Sequence, residues 1–269
     1  MDFEQFKVIG GKVDLSDFKT EFDAGESDSD LKELREKLWE EVDDLQEKLY
    51  AESKQSLLIV LQAMDAAGKD STIAKLTGML NAQSCKIHSF KKPSKRELSH
   101  DFLWRVHAVA PEAGDITIFN RSHYEDVLIV KVHGWASEEI IESRYQHINN
   151  FESLLAGRGT KVIKFMLHIS PEYQLSRFKR RLDNPGKHWK FNPGDLEERK
   201  HWDDYMGAFE VAIEQCSSDV SPWYIVPAEN RNFRDVMIAS LIRDALQQMN
   251  PDFPAPTFDQ ELYTSDSIS

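Results

Sequence analysis

Two hydrophobic periods alternate along the chain. Leu57 to Leu61 is an unbroken apolar run, the pattern of a strand buried on both faces. Asp115-Ile-Thr-Ile-Phe119, Lys161 to Ile169 and Trp223-Tyr-Ile-Val226 read as further strands, and Cys85-Lys-Ile-His-Ser-Phe90 as a short one. Between them the apolar positions take helical spacing. Leu31 to Ala51 carries a stripe of Leu31, Leu34, Leu38, Trp39, Val42, Leu45 and Leu49, with Ser29 or Asp30 as N-cap. That stripe packs on the domain or on a second subunit. Asp70 to Asn81 repeats the spacing at Ile73, Leu76 and Leu80, and Leu98 to Val109 at Phe102, Leu103 and Val106. Ser137 caps a long helix to Leu155, closed by Gly157-Arg-Gly159, and Pro171 opens one to about Leu182. Asp195 to Ala212 and Phe233 to Met249 complete the series. Strands alternating with helices, without an internal repeat, predict an α/β fold: a parallel sheet of about five strands with helices on both faces. Residues 1–30 read as an irregular arm and the acidic, Pro-containing stretch 251–269 as a loosely packed tail.

Composition narrows the function. The 269 residues are enough for one large core, and 41% hydrophobic with 29% charged residues is ordinary for a soluble globular protein. No apolar run approaches the roughly 18 to 20 residues of a membrane span. The first residues lack the apolar segment of a signal peptide, so a cytoplasmic location is expected. Cys85 and Cys216 lie far apart and read as small buried residues, not a disulfide or ligand pair. A net charge of −13 argues against general nucleic-acid binding and makes every local basic cluster informative.

The candidate chemistry begins after the first buried strand. Ala63 to Asp70 places a small-residue loop, Ala66-Ala67-Gly68, before Lys69 at the opening of a helix. Backbone N–H groups and a helix N-terminus at such a loop face an anion, and Lys69 adds a full charge. The alternative is a plain strand–turn–helix with a surface lysine. Asp65 speaks against it, because a carboxylate in a phosphate loop needs a divalent cation or a lysine beside it. Lys91, Lys92, Lys95 and Arg96 follow a strand's carboxyl end and read either as a solvated turn or as phosphate contacts. After the Asp115–Phe119 strand, Asn120-Arg-Ser-His-Tyr-Glu-Asp126 offers Arg121 as a phosphate clamp and Glu125 or Asp126 as a metal carboxylate; a polar helix cap is the alternative. Arg177, Lys179, Arg180, Arg181, Lys187 and Lys190 face one acid, Asp183, in the strongest charge anomaly of the chain. Two Pro-Gly pairs, at 185–186 and 193–194, bound what reads as a mobile loop, a basic lid over about 180–200. Trp189 and Phe191 either stack on a base or staple the lid.

Several stretches together resemble the polyphosphate kinase 2 family. They are Met64-Asp-Ala-Ala-Gly-Lys-Asp70, Ser89-Phe-Lys-Lys-Pro-Ser94, His100-Asp-Phe-Leu-Trp-Arg105, Phe119-Asn-Arg-Ser-His-Tyr-Glu-Asp-Val-Leu128, Arg181-Leu-Asp-Asn-Pro-Gly-Lys-His-Trp-Lys190 and Trp202-Asp-Asp-Tyr-Met206. The resemblance covers about residues 30 to 250 and is similar to the class acting on both nucleoside mono- and diphosphates. It implies a P-loop kinase fold of the thymidylate-kinase type over 31–250. It also implies Mg2+-dependent (or Mn2+-dependent), reversible phosphoryl transfer between inorganic polyphosphate and AMP, ADP or ATP. Carried over, Asp65 is the loop acid and metal residue, with Glu125 second, and Lys69 the phosphate lysine. Asn120 and Arg121 belong to the second motif, and Arg181 is the lid arginine. Asn120 replaces an aspartate of other branches; Ala63 and Ser71 stand where the family usually has glycine, and the Cβ of Ala63 is expected to weaken phosphate binding.

The resulting expectation is in-line transfer onto an already anionic nucleotide phosphate, needing position and charge more than a base. Ala66, Ala67, Gly68, Lys69, Asp70, Ser71, Lys91, Lys92, Asn120, Arg121, Arg177, Arg181, Lys187 and Lys190 are the binding candidates. Asp65, Lys69, Arg121 and Arg181 are the catalytic ones. An ATP-dependent nucleotide kinase and a non-catalytic nucleotide switch are the competing readings. No nucleic-acid or membrane partner is expected; a homodimer or homotetramer is.

Overall fold

The computed structural model describes residues 1–264 and Ser267. Among these, six strands form one sheet: β1 Lys7–Val8, β2 Ser56–Ala63, β3 Cys85–Ser89, β4 Ile116–Asn120, β5 Thr160–His168 and β6 Trp223–Pro227. Their order is β1-β6-β5-β2-β4-β3, parallel except for β1, which runs antiparallel to β6. The helices are α1 Asp28–Glu52, α2 Lys69–Thr77, α3 Trp104–His107, α4 Ile129–Val132, α5 Glu138–Gly157, α6 Pro171–Asp183, α7 Pro193–Glu198, α8 Trp202–Gln215 and α9 Arg231–Met249.

Strand β2 sits between β4 and β5 with all eight residues buried, as a continuous apolar run requires. Its alternate side chains enter different cores. Leu57, Ile59 and Leu61 meet the side chains of α1 and α9 on one face; Leu58 and Val60 meet those of α5 and α8 on the other. The chain passes from β2 to the edge strand β3, returns to β4 beside β2, then crosses to β5 and β6 on the other side. The carboxyl end of β2 is therefore the switch point where an open α/β sheet leaves a crevice.

Several expectations change. Residues 1–30 are not an irregular arm: β1 extends the sheet, and Phe6 and Phe22 pack edge-on against Phe233 at centroid distances of 6.2 and 5.1 Å. The N-cap of α1 is Ser27, whose side chain accepts from Asp30 N–H and starts the helix earlier than Ser29 or Asp30. The stripe of α1 is covered by α9 within the chain, which removes that argument for an oligomer. The helix expected over Leu98–Val109 shrinks to α3, because the Asp101 carboxylate accepts from Leu103 N–H at 3.0 Å and competes with helical pairing. The Pro-Gly pairs do not bound an irregular loop. Each proline is a first helical residue: Asn184 and Asn192 accept from Gly186 and Gly194 N–H, both at 3.0 Å, opening a 3-10 helix at Pro185–Lys190 and then α7. The helix expected from Asp195 to Ala212 is accordingly split at Arg199–His201 into α7 and α8. In the tail, residues 252–264 are exposed with little regular structure; Ser265, Asp266, Ile268 and Ser269 lie outside the described residues. Among the described residues no helix is long and apolar enough to cross a membrane.

Candidate active site

The loop from Met64 to Gly68 joins β2 to α2 and is shaped by two left-handed residues, Ala66 at φ 65° and Gly68 at φ 110°. Gly68 is needed twice over. A Cβ there would lie 2.7 Å from Arg234 Nη1, and its backbone conformation strains any L side chain. Ala63, by contrast, is the last residue of β2 and is not among the positive-φ residues. The expected weakening from its Cβ therefore has no backbone basis. Ser71 lies in the first turn of α2, its hydroxyl donating to Gly68 O at 2.8 Å.

Lys69 is buried and curls back over the loop, its Nζ donating to Ala63 O at 2.6 Å and Met64 O at 3.3 Å. Burial, then the neighbouring Arg121 guanidinium, lower its pKa to about 8 against partial compensation from Asp65, Glu125 and Asp70. A phosphate between the two cations cancels that repulsion and restores the ammonium form. Binding of polyphosphate is thus expected to take up a proton from about pH 8 toward the ordinary lysine value of 10.5, with affinity falling as pH rises through about 8. Calorimetric titration of long-chain polyphosphate in two buffers of different ionisation enthalpy reads this directly. Identical heats in both buffers at pH 9 would contradict it.

Arg121 is the first residue past β4, at φ 61°, a left-handed conformation costing a non-glycine residue about 1–2 kcal/mol. Its N–H is fixed to Leu61 O at 3.0 Å and its fork to two carboxylates, Asp65 Oδ1 at 2.7 Å and Glu125 Oε2 at 3.1 Å. Glu125 and Asp65 hold the guanidinium charged, raising its pKa against the effect of burial. Glu125 is occupied at its other oxygen too: the buried Gln62 amide, oriented to satisfy both its ends, donates to Oε1 at 3.0 Å. Asp65 Oδ2 accepts no hydrogen bond among the described residues. Asp65 therefore fits a divalent cation better than Glu125. No cluster of three or more acidic, His or Cys ligands occurs among the described residues. Mg2+ commonly binds through one or two carboxylates plus phosphate and water, so the single free oxygen of Asp65 suits it. Asp126 turns away, within 3.7 Å of Arg105 and 4.0 Å of Arg144. Asn120 donates to Asp70 Oδ1 at 2.9 Å, spanning the two motifs.

A cleft of about 640 Å3 opens over the loop. It brings together Asp65, Ala66, Gly68, Lys69, Asp70, Ser71, Lys91, Asn120, Arg121, Arg177, Arg181, Lys187 and Lys190. Ala67 is buried beneath it and Lys92 is exposed outside it. Glu125 lines a small neighbouring cavity with Asp65 and Arg121. Trp189 faces the cleft at 78% exposure, with Lys190 Nζ 4.8 Å above its ring, so it does not staple the lid. Arg181 donates to Asp195 Oδ2 at 3.1 Å and Lys190 O at 3.0 Å. Burial and Asp65 raise the Asp195 pKa against the pull of Arg181. The cleft also takes in Arg180, which the sequence placed in the basic run without singling it out, and Arg231, which sequence reasoning missed. Arg231 follows the carboxyl end of β6, where ligands of open sheets gather, and that position was its only signal. Burial, then Arg231, Arg180 and Arg181, lower the Arg177 pKa, because the cations repel one another along the cleft.

The polyphosphate kinase 2 (PPK2) family model matches residues 25–254. The AMP/ADP-polyphosphate phosphotransferase of Meiothermus ruber is 45% identical over 215 residues, 80% of each chain. The ADP-polyphosphate phosphotransferase of Rhodopseudomonas palustris is 42% identical over 272 residues, spanning 94% of this chain and 93% of that one. The crystal structure of polyphosphate kinase 2 from Arthrobacter aurescens superimposes with a TM-score of 0.93 at 42% identity, covering 96% of this chain and 93% of that one. By this match over most of its length and by these relatives, the chain belongs to the polyphosphate kinase 2 family.

Proposed function

We propose that this chain is a polyphosphate-dependent nucleotide kinase, transferring a phosphoryl group reversibly between inorganic polyphosphate and the terminal phosphate of AMP or ADP. The observation that carries this is the run of cations beyond the phosphate loop. Arg177, Arg180, Arg181, Lys187, Lys190 and Arg231 line the same cleft as Lys69 and Arg121, in a chain of net charge −13. A nucleotide triphosphate tail does not need so long a basic surface; a linear polyanion does. The Meiothermus ruber relative, an AMP/ADP-polyphosphate phosphotransferase, supports both acceptors, and the Rhodopseudomonas palustris relative, an ADP-polyphosphate phosphotransferase, supports ADP.

In the transfer, a terminal oxygen of the nucleotide phosphate attacks the end phosphorus of polyphosphate. The bond to the bridging oxygen breaks, and the shortened chain leaves with that electron pair. The nucleophile is already anionic, so the chain needs no strong general base. Lys69 and Arg121 neutralise charge on the transferring group, and Arg181, released from Asp195, closes on it from the lid. A bound Mg2+ or Mn2+, held at Asp65, would neutralise further phosphate charge.

Purified protein with Mg2+ and long-chain polyphosphate, offered ADP or AMP without ATP, is expected to form ATP from ADP and ADP from AMP. Product from one acceptor alone would retain the reaction and narrow the acceptor. No product from either, with AMP phosphorylated once ATP is supplied, would replace the reading with an ATP-dependent nucleotide kinase.

A further inference from the structure

Gln174 lies in the first turn of α6, 1% exposed, and touches two parts of the site at once. Its Oε1 accepts from Arg199 Nη1 at 2.9 Å; its Nε2 donates to the backbone carbonyl of Asp65 at 2.9 Å. The amide orientation is unambiguous, because a guanidinium only donates and a carbonyl only accepts. Arg199 follows α7 at the foot of the lid, where Nη1 also donates to Pro171 O at 2.8 Å.

The carbonyl of Asp65 and the N–H of Ala66 are the two ends of one planar peptide and point to opposite sides of it. Gln174 lines the small cavity on the carbonyl side, whereas Ala66 lines the phosphate cleft. Ala66 is also left-handed, at φ 65°, so this peptide is held in a conformation that a free chain would seldom keep. We propose that Gln174 is a positioning residue: by fixing the Asp65 carbonyl it aims the Ala66 N–H at the phosphate, and through Arg199 it ties that setting to the foot of the lid. This rests on the loop being the phosphate cradle. A flipped Asp65–Ala66 peptide would present an oxygen to an anion in place of a donor, and would shift the carboxylate of Asp65 with it. Gln174 touches no substrate; it acts through the loop backbone.

Two variants and one resonance test the proposal. Gln174→Met keeps the volume and removes both polar contacts. Gln174→Glu keeps an acceptor for Arg199 and removes the amide donor to Asp65. Both are expected to lower kcat about 10²-fold, the scale of a small misplacement of a catalytic group, with KM for ADP within about twofold. In protein labelled with 15N-alanine, the Ala66 amide is expected to shift on addition of pyrophosphate in the wild type and not in Gln174→Met. Arg199→Ala, which spares the Gln174–Asp65 bond, is expected to retain that shift. Wild-type kcat in Gln174→Glu, or a pyrophosphate-induced Ala66 shift that survives in Gln174→Met, overturns the proposal. The pyrophosphate readout needs no turnover. A wild type that shifts Ala66 but fails to use polyphosphate therefore refutes the donor assignment and leaves the role of Gln174 standing.

Discussion

Lys69→Ala is expected to lower kcat by about 10²–10³-fold, the loss typical of removing one preorganised group that faces developing charge. The structure makes this a clean experiment. The ammonium sits at the mouth of the loop and spends its hydrogen bonds on Ala63 O and Met64 O. Its pKa in the fold, about 8, lies below the ordinary 10.5, so the charged lysine costs the folded state stability. That cost is fully present below about pH 8 and fades as pH rises to 10.5, where the unfolded chain also loses the proton. Near neutral pH the wild type therefore carries an unfavourable charge at Lys69. Replacing it by alanine should leave the melting temperature unchanged or raised while turnover collapses. Turnover within a few-fold of the wild type, by initial rates with polyphosphate and ADP, would remove Lys69 from the transfer step.

The same local logic explains what could be read from the sequence. The buried strand, the small-residue loop and the lysine are contiguous, so their relation survives without tertiary information; β2, Gly68 and Lys69 stand where the pattern put them. Arg121 was legible because polar residues directly after an apolar strand have one place to go, the carboxyl edge of the sheet. Contacts across the chain left no such trace. Gln174 and Asp65 are separated by 109 positions, and a lone glutamine on an amphipathic helix carries no signal of a distant carbonyl. Strand β1 is two residues long, too short for any period, and is held by Phe3 and Phe6 packing on Phe233. The lid misled for another reason. Pro-Gly reads as a breaker, but behind an asparagine it is also a helix start, and the side-chain cap decides between the two. Ala63 likewise warned of lost glycine freedom at a position that proved to be plain strand.

Glu152→Ala is expected to destabilise the fold by about 3–5 kcal/mol, the cost of leaving a buried cation without its partner. Lys164 on β5 and Glu152 on α5 are both essentially without solvent exposure and meet at 2.5 Å. Lys164 Nζ also donates to the Tyr124 hydroxyl at 3.0 Å and Cys216 O at 2.6 Å, and Tyr124 donates to Glu152 Oε1 at 2.8 Å. His123 completes the cluster, its Nε2 3.2 Å from Glu152. His123 and Tyr124 belong to the same short segment as Arg121, so the network anchors that segment from beneath. Burial pushes the Glu152 carboxyl up, but Lys164 and His123 outweigh it and bring it down to about 2. A depressed carboxyl contributes stability above its unfolded value, near 4.5, and loses it as pH falls toward 2. Urea unfolding of the wild type should therefore weaken over that window, and Glu152→Gln should flatten the dependence. The double variant Glu152→Leu/Lys164→Met should lose less than the two single changes summed, because neither charge is then stranded. It should not regain the wild type, since Tyr124 and the Cys216 carbonyl lose their partners at about 1–3 kcal/mol each. A Glu152→Ala protein that unfolds within about 1 kcal/mol of the wild type would show that water or a shifted Tyr124 already compensates the lysine.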